Sequence, residues 1–390
     1  MRICHVTSHL PPDQAANALL PLHLGQWAVE AGDSPSYIAH PPRALGGAAA
    51  ALRQVEDALP GPVTWIGPRT RRTRVPVAAQ LLSLLELARL RTATSGALAG
   101  ADIVHVHSNG LLPEAAALFA SRLAKPVVLT LYGTEIWHYA PRRAGVDLFT
   151  RAYRHAAHVT FYSAFLRDRA LELGLERDGL SVVYPPVAGY FTRRDEAARL
   201  AARAELGLRE ANILVNVKRL HPLAGQRRLV DAMPEVLRHH PDTRVVVCGT
   251  GPLRDELLER ARELGVERWL TLTGLVDNRI VARYQEAADL FVLPSELEAL
   301  PTVAVEALAS GTPVVSTDNP GGIELGRLFG DDVRVVKKAE PEELGRAIVE
   351  FLSNRRRTRP STDHVLAREF SREVTAARFA AIYREVVHTG

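Results

Sequence analysis

The sequence predicts an α/β protein built from two parallel-sheet domains. Three observations carry this expectation. Short runs rich in Val, Ile and Leu recur along the chain, each followed by a stretch of helical spacing, which is the pattern of repeated strand–helix units. Near the middle, Pro185-Pro186 and the charged stretch from Arg193 to Glu205 interrupt the pattern, as an inter-domain connection does. A chain of 390 residues, 47% of them hydrophobic, has enough apolar material for two cores.

In the first half, Arg2 to Thr7 reads as a strand, and Asn17 to Ala31 as a helix with Leu20, Leu24, Trp27 and Ala31 on one side, Pro21 being tolerable near the first turn. Val63 to Ile66 is another strand. Arg69, Arg71, Arg72 and Arg74 follow, then a helical stretch from Val77 to Leu90 in which Leu81, Leu84, Leu85 and Ala88 are spaced for burial. Such a basic cluster can dock on anionic lipid, but a solvated loop beside a core helix is the preferred reading, so membrane association is not expected. Asp102 to His107 is a buried strand, followed by the loop Ser108-Asn109-Gly110, a helix from Pro113 to Arg122 and a strand from Pro126 to Thr130. Ligands of parallel sheets bind outside the carboxyl ends of the strands, which puts His107, Tyr132, Gly133 and Glu135 on the rim of a cleft. Val159 to Ser163, a helix from Ala164 to Leu173, and Ser181 to Tyr184 complete this half.

In the second half, Asn212 to Val217 starts a new sheet and is followed by Lys218-Arg219-Leu220-His221-Pro222-Leu223-Ala224-Gly225 and a helix through Leu237. Arg244 to Cys248 is a strand closed by Gly249-Thr250-Gly251-Pro252. Arg254 stands where a dinucleotide fingerprint needs its third glycine, so these glycines are expected to serve a tight turn. Leu270 to Thr273, Ala287 to Leu293, Pro313 to Thr317 and Val333 to Val336 are the remaining strands, and Asp331-Asp332 is expected to be a solvated turn. A helix is expected from Pro301, in its first turn, to Gly311, which ends it, and another from Phe370 to Val387.

The balance of 48 basic and 44 acidic residues, net +4, argues against a nucleic-acid partner, while a basic isoelectric point suits an anionic substrate. Cys4 and Cys248 lie in separate apolar runs, make no disulfide framework and are expected to be reduced and buried. The chain starts directly with a strand and contains no apolar run of about 20 residues, so a soluble cytoplasmic protein is expected. Oligomeric state stays open.

The chemistry concentrates between Phe291 and Glu324. The N–H groups of Leu300, Thr302 and Val303 at a helix start form a phosphate cradle, aided by the helix dipole. Glu298 and Glu306 flank it, and carboxylates accept hydrogen bonds from vicinal hydroxyls, so the combination suggests a sugar nucleotide, with Glu306 on the ribose diol and Glu298 on the transferred sugar. The arrangement Glu, seven residues, Glu, preceded by Pro294-Ser295 and followed by Gly311-Thr312-Pro313-Val314-Val315 and Gly321-Gly322, resembles the signature of the retaining GT-B enzymes of glycosyltransferase family 4.

The resemblance implies a GT-B fold of two Rossmann-like domains facing each other across a cleft. Residues 1–190, completed by a helix at 370–390, would bind the acceptor, and 191–369 the nucleotide-sugar. It implies that Arg219 grips the diphosphate and stabilises its departure. The family's usual lysine falls at Ala224, and Lys218 stands where a glycine is usual, so Lys218 either replaces that charge or leaves the diphosphate to Arg219 and the helix start. The loop Gly274-Leu275-Val276 would hold the base through its backbone, with Val276 at its end. Tyr132 occupies the place of the family's histidine in Thr130 to Glu135, and the stretch Asp13-Gln14-Ala15-Ala16 replaces a glycine-rich loop, so Asp13 and Ala16 would border donor and acceptor. The implied activity is front-face, metal-independent transfer from a UDP-sugar, without cofactor, to an acceptor hydroxyl. An aminocyclitol antibiotic precursor is the preferred acceptor, with polysaccharide or lipid as the alternative. A nucleotide-sugar epimerase, a phosphorylase and a non-catalytic nucleotide-sugar binder remain open as other classes.

Overall fold

A computed structural model describes residues 1–13, 16–42, 49–67, 76–141, 147–337, 341–354 and 356–389. The chain divides into two compact units, Met1–Tyr184 with Thr375–Gly390, and Pro185–Val374.

Among the described residues the first unit holds seven strands: β1 (Arg2–Thr7), β2 (Ser34–Ala39), β3 (Val63–Trp65), β4 (Ile103–His107), β5 (Val127–Leu131), β6 (His158–Phe161) and β7 (Leu180–Val182). They form one parallel sheet in the order β3-β2-β1-β4-β5-β6-β7. Every residue of β4, β5 and β6 is buried, and their polar residues His105, His107, Thr130, His158 and Thr160 are paired within the unit. The chain leaves β1 in one direction and returns to β4 on its other side, so the switch point of the sheet lies between β1 and β4. The helix Arg372–Thr389 contributes Phe379, Ile382 and Tyr383 to this core.

The second unit contains β8 (Asn212–Val217), β9 (Thr243–Cys248), β10 (Leu270–Gly274), β11 (Leu290–Leu293), β12 (Val314–Thr317) and β13 (Val333–Val336). Their order, β10-β9-β8-β11-β12-β13, is again parallel and puts the switch point between β8 and β11. Leu214, Val245, Val292 and Val315 of the sheet pack with Leu229, Met233 and Val236 of the helix Gln226–His239 and with Leu344 and Ile348 of the helix Pro341–Asn354.

Several expectations need correction. The helix after β3 is Pro76–Gly100, longer than expected, and Leu85 is 59% exposed and Ala88 exposed, so neither is the core residue that their spacing suggested. Among the described side chains of this helix the buried ones are Leu90, Thr94 and Leu98. The basic cluster Arg69 to Arg74 and the side chains of Leu81 and Leu84 lie outside the described residues. Pro301 is the residue before its helix, Thr302–Ala309, rather than part of the first turn. Asp332 is not in a solvated turn: it is buried and accepts from Arg359 N (2.8 Å) and Thr362 Oγ1 (2.6 Å), anchoring the start of the helix Pro360–Glu369.

Candidate active site

In the second unit the switch point gathers the loop after β8 and the loop after β11. Lys218 N donates to Cys248 O (3.0 Å) and Leu220 N to Thr250 O (2.9 Å), which extends the β8–β9 pairing past the strand ends. Glycine is required alongside, since a Cβ on Gly249 would lie 2.0 Å from Lys218 O and one on Gly251 2.1 Å from Leu220 O. The expected tight turn therefore has a purpose, letting two loops run in backbone contact. Gln226 Nε2 donates to Arg219 O (3.1 Å), fixing the segment from the helix side. The Arg219 side chain is exposed and has no partner among the described residues. Ala224, at the place expected for a lysine, is buried and brings no charge.

The facing loop is held as firmly. Ser295 O accepts from Thr317 Oγ1 (2.5 Å) and Asn319 Nδ2 (3.3 Å), and Glu296 N donates to Leu223 O (2.8 Å). Gly321 N donates to Glu298 O (3.0 Å), and a Cβ on Gly321 would meet Pro301 Cδ at 2.6 Å, so the Gly-Gly pair lets the helix Pro320–Phe329 rest against the loop. Of the three cradle amides, Leu300 N and Val303 N have no partner among the described residues. Thr302 N is corrected: it folds back across Pro301 and donates to Leu300 O (3.1 Å).

The two glutamates differ. Glu298 is buried, and its Oε1 lies 2.5 Å from Lys218 Nζ across the switch point. Glu306 has no ionic or hydrogen-bonding side-chain partner among the described residues, and burial pushes its carboxyl up to about 7. Burial first, and the nearby Glu306 second, hold the Tyr190 phenol above its usual range, and Arg279 lies 5.3 Å from the Tyr190 ring. Val276 packs in the same small cluster, with Val217, Tyr190 and Phe191, while its neighbour Leu275 is 73% exposed.

The first-unit candidates turn inward. His107 is fully buried, with Nε2 3.1 Å from His5 Nδ1 and Nδ1 2.9 Å from the Tyr132 hydroxyl, so it is not a rim residue. Glu135 is also buried and serves its own turn, accepting from Ser108 Oγ (2.5 Å), Gly133 N (2.7 Å) and Tyr132 N (3.3 Å). Those amides open the short helix Thr134–Trp137, which explains the carboxylate's place. Burial, and then Tyr162, Glu135 and Tyr383, hold the Tyr132 phenol well above its usual range, so it stays neutral. Asp13 pairs with His9 (2.9 Å), Ala16 begins the helix Ala16–Glu30, and Gln14-Ala15 lie outside the described residues.

His5, His105 and His107 bring ligand-capable atoms within 4.8 Å of one another. Five of their six ring nitrogens already have hydrogen-bond partners, His105 reaching the Tyr383 hydroxyl (2.6 Å) and Thr130 Oγ1 (2.7 Å), and only His5 Nε2 lacks one. We read the cluster as a buried hydrogen-bond network rather than a metal centre.

The description "Glycosyl transferases group 1" matches residues 199–364, and "Glycosyltransferase Family 4" matches residues 22–188. A protein of Bacillus subtilis, named as a teichuronic acid biosynthesis glycosyltransferase, is 30% identical over 75% of this chain and 69% of its own length. The chain belongs to glycosyltransferase family 4. A GDP-mannose-dependent phosphatidylinositol monomannoside mannosyltransferase of Mycolicibacterium smegmatis is 29% identical over 60% of this chain and 63% of its own length. A 2-deoxystreptamine N-acetyl-D-glucosaminyltransferase of Niallia circulans is 24% identical over 57% and 60%. The chain thus spans somewhat under two thirds of the length of these last two relatives. An Anabaena protein solved in complex with UDP shares the GT-B fold, with a TM-score of 0.72 at 18% identity over 99% of this chain and all of that one.

As a family 4 glycosyltransferase the chain is an enzyme of hexosyl transfer. Of the residues that sequence reasoning drew from the second half, Lys218 and Glu298 meet at the switch point, Arg219 follows Lys218 in the same loop, and Glu306 stands on the helix Thr302–Ala309 after the facing loop. Two features escaped it. The ionic contact of Lys218 with Glu298 joins residues 80 positions apart, for which no periodicity gives a signal. His5 was also missed, although His105 and His107 on a buried strand were a visible cue that polar partners must lie on the neighbouring strand.

Proposed function

We propose that the enzyme is a retaining, metal-independent glycosyltransferase that moves a sugar from a nucleoside diphosphate sugar to a hydroxyl of a cyclitol, an aminocyclitol antibiotic precursor being the acceptor we favour. One observation carries the donor reading. The Lys218–Glu298 pair, Arg219 and the amides of Leu300 and Val303 lie in and just after the loops that follow β8 and β11, with a half-buried Glu306 on the helix beyond; Arg219, Glu306 and the two amides have no partner among the described residues. Glu306 suits the ribose diol, because two hydroxyl donors supply what its carboxylate lacks. Arg219 and the start of the helix Thr302–Ala309 suit the diphosphate.

In this reading the acceptor oxygen bonds to the anomeric carbon on the face from which the diphosphate leaves. The carbon–oxygen bond to phosphate breaks, and the acceptor proton passes to the departing phosphate oxygen. Arg219 faces charge that grows on that oxygen, which makes it a transition-state contact. The loop Gly274 to Val276 would read the base. UDP-sugars are our first choice, and the relative named for GDP-mannose makes GDP-sugars the comparison. A cyclitol acceptor is supported by the relatives named for 2-deoxystreptamine and for a phosphatidylinositol mannoside, both of which contain a cyclitol ring.

Mass spectrometry of the purified protein with UDP- and GDP-sugars and a panel of inositol, inositol phosphate, 2-deoxystreptamine and oligosaccharide acceptors tests this. One hexosyl added to a cyclitol, with the anomeric configuration of the donor retained, is the expected result. Transfer only to oligosaccharides would replace the acceptor class, and donor isomerisation without transfer would overturn the reaction.

A further inference from the structure

A buried carboxylate beside an incoming diphosphate poses an electrostatic problem. Glu298 has a side chain only 10% exposed, and the donor would set anionic phosphates within the same loop cluster. Its ionic partner is Lys218 Nζ, at 2.5 Å. Both backbones are pinned. Lys218 is held between Cys248 O and the closely packed Gly249, and Glu298 by the bond from Gly321 N to its carbonyl, so the pair forms without ordering a loose loop. An ammonium has three N–H donors, and the Lys218 side chain is 32% exposed, so the group that pairs with Glu298 also has an open side.

We propose that Lys218 is a positioning residue that acts through Glu298. It holds the carboxylate in one orientation and offsets its charge, so that Glu298 can read the hydroxyls of the transferred sugar next to an anionic diphosphate. Lys218 then contributes to recognition of the sugar more than of the nucleotide. The inference rests on the nucleotide-sugar reading of the site. It differs from a simple phosphate contact in one respect: its effect must disappear when Glu298 carries no charge.

The test is a double-mutant cycle of Lys218→Met, Glu298→Gln and both together, with Lys218→Arg as the conservative variant. Calorimetry with UDP and UDP-glucose, and with GDP and GDP-mannose, gives the ligand readout, and thermal unfolding without ligand gives the second. Lys218→Met is expected to weaken the nucleotide-sugar by about tenfold or more and the bare nucleotide by less than about threefold, with Lys218→Arg recovering part of the loss. In the Glu298→Gln background the same change is expected to add nothing. Without ligand, Lys218→Met is expected to lower the unfolding temperature by a few degrees, because it leaves a buried charge unpaired, and Glu298→Gln to restore it.

Equal weakening of nucleotide and nucleotide-sugar, additive with Glu298→Gln, would make Lys218 a phosphate ligand and overturn the proposal. A silent Lys218→Met would overturn it as well. Wild-type protein that binds none of the four ligands, while the two substitutions remain coupled in unfolding, would overturn the donor reading, and with it the assigned role, though not the pair itself.

Discussion

In the proposed mechanism Arg219 carries most of the chemistry, and its exposure without a partner among the described residues makes the prediction direct. Arg219→Ala should reduce kcat more than it weakens donor binding, since the guanidinium meets charge that grows as the diphosphate departs. Equal losses in both, from steady-state rates and calorimetry, would count against that role. Glu306 offers a test that needs no acceptor. Its carboxyl is raised to about 7 in the fold, above the value near 4.3 of a free glutamate. A raised acid contributes stability that is full below the unfolded value and is lost as pH rises through the folded one. Glu306→Gln stays neutral at every pH, so it should match wild type near pH 4 and exceed it by about 3 kcal/mol at pH 8. Urea unfolding of the two proteins at both pH values measures this, and a difference independent of pH would contradict it.

At the scale of elements, strands made of Val-rich runs flanked by helical stretches were legible in the sequence, but β2 (Ser34–Ala39) was not read, because Ser34, Pro35 and Ser36 interrupt its apolar run although Tyr37, Ile38 and Ala39 are fully buried. β1 and β8 run over the residues expected, Arg2–Thr7 and Asn212–Val217. What could not be read was direction across the sheet. In the run from Ile103 to His107 the two histidines alternate with apolar residues and so share a face, but with both faces of the sheet buried the alternation does not tell whether His107 ends at a cleft or in the interior. Exposure of Leu85 has a similar origin, since the helix Pro76–Gly100 is apolar along much of its circumference and shows no single face. The histidine network of β1 and β4 makes its own prediction. Burial drives His5 down to about 3 and His105 and His107 well below the ordinary histidine value, so all three are neutral when folded. The sign is that of a depressed group. Their contribution is full above the unfolded value of about 6.5 and is lost as pH falls below it, with a slope approaching ~4 kcal/mol per pH unit for three rings. Unfolding temperatures measured from pH 7 down to pH 5 should fall accordingly, and a flat profile would contradict the neutral network.

For the whole molecule, each of the two parallel sheets has one switch point, between β1 and β4 and between β8 and β11. The compact units divide at Tyr184 and Pro185, at the proline pair and ahead of the boundary expected at 190, and the chain rejoins the first unit at Thr375 rather than at 370. Among the described residues no helix is long and apolar enough to cross a membrane. Metal independence is predicted at this scale. Arg219 and the helix start can supply the positive potential that a divalent ion gives to a departing diphosphate elsewhere. Transfer should persist in excess chelator, and activity lost to chelator and restored by magnesium would refute this.

The central claim is that the second unit holds a nucleoside diphosphate sugar through Glu306, and calorimetry of UDP and GDP binding to wild type and Glu306→Gln at pH 7, in two buffers of different ionisation enthalpy, tests it most directly. Hydrogen bonds from the ribose favour the ionised carboxylate, so wild type should bind one of the nucleotides and release a fraction of a proton as it does so. Glu306→Gln should bind about 1.5 to 3 kcal/mol more weakly, with no proton released from this site. Absence of binding by wild type, or equal affinity and equal proton release in both proteins, would contradict the account.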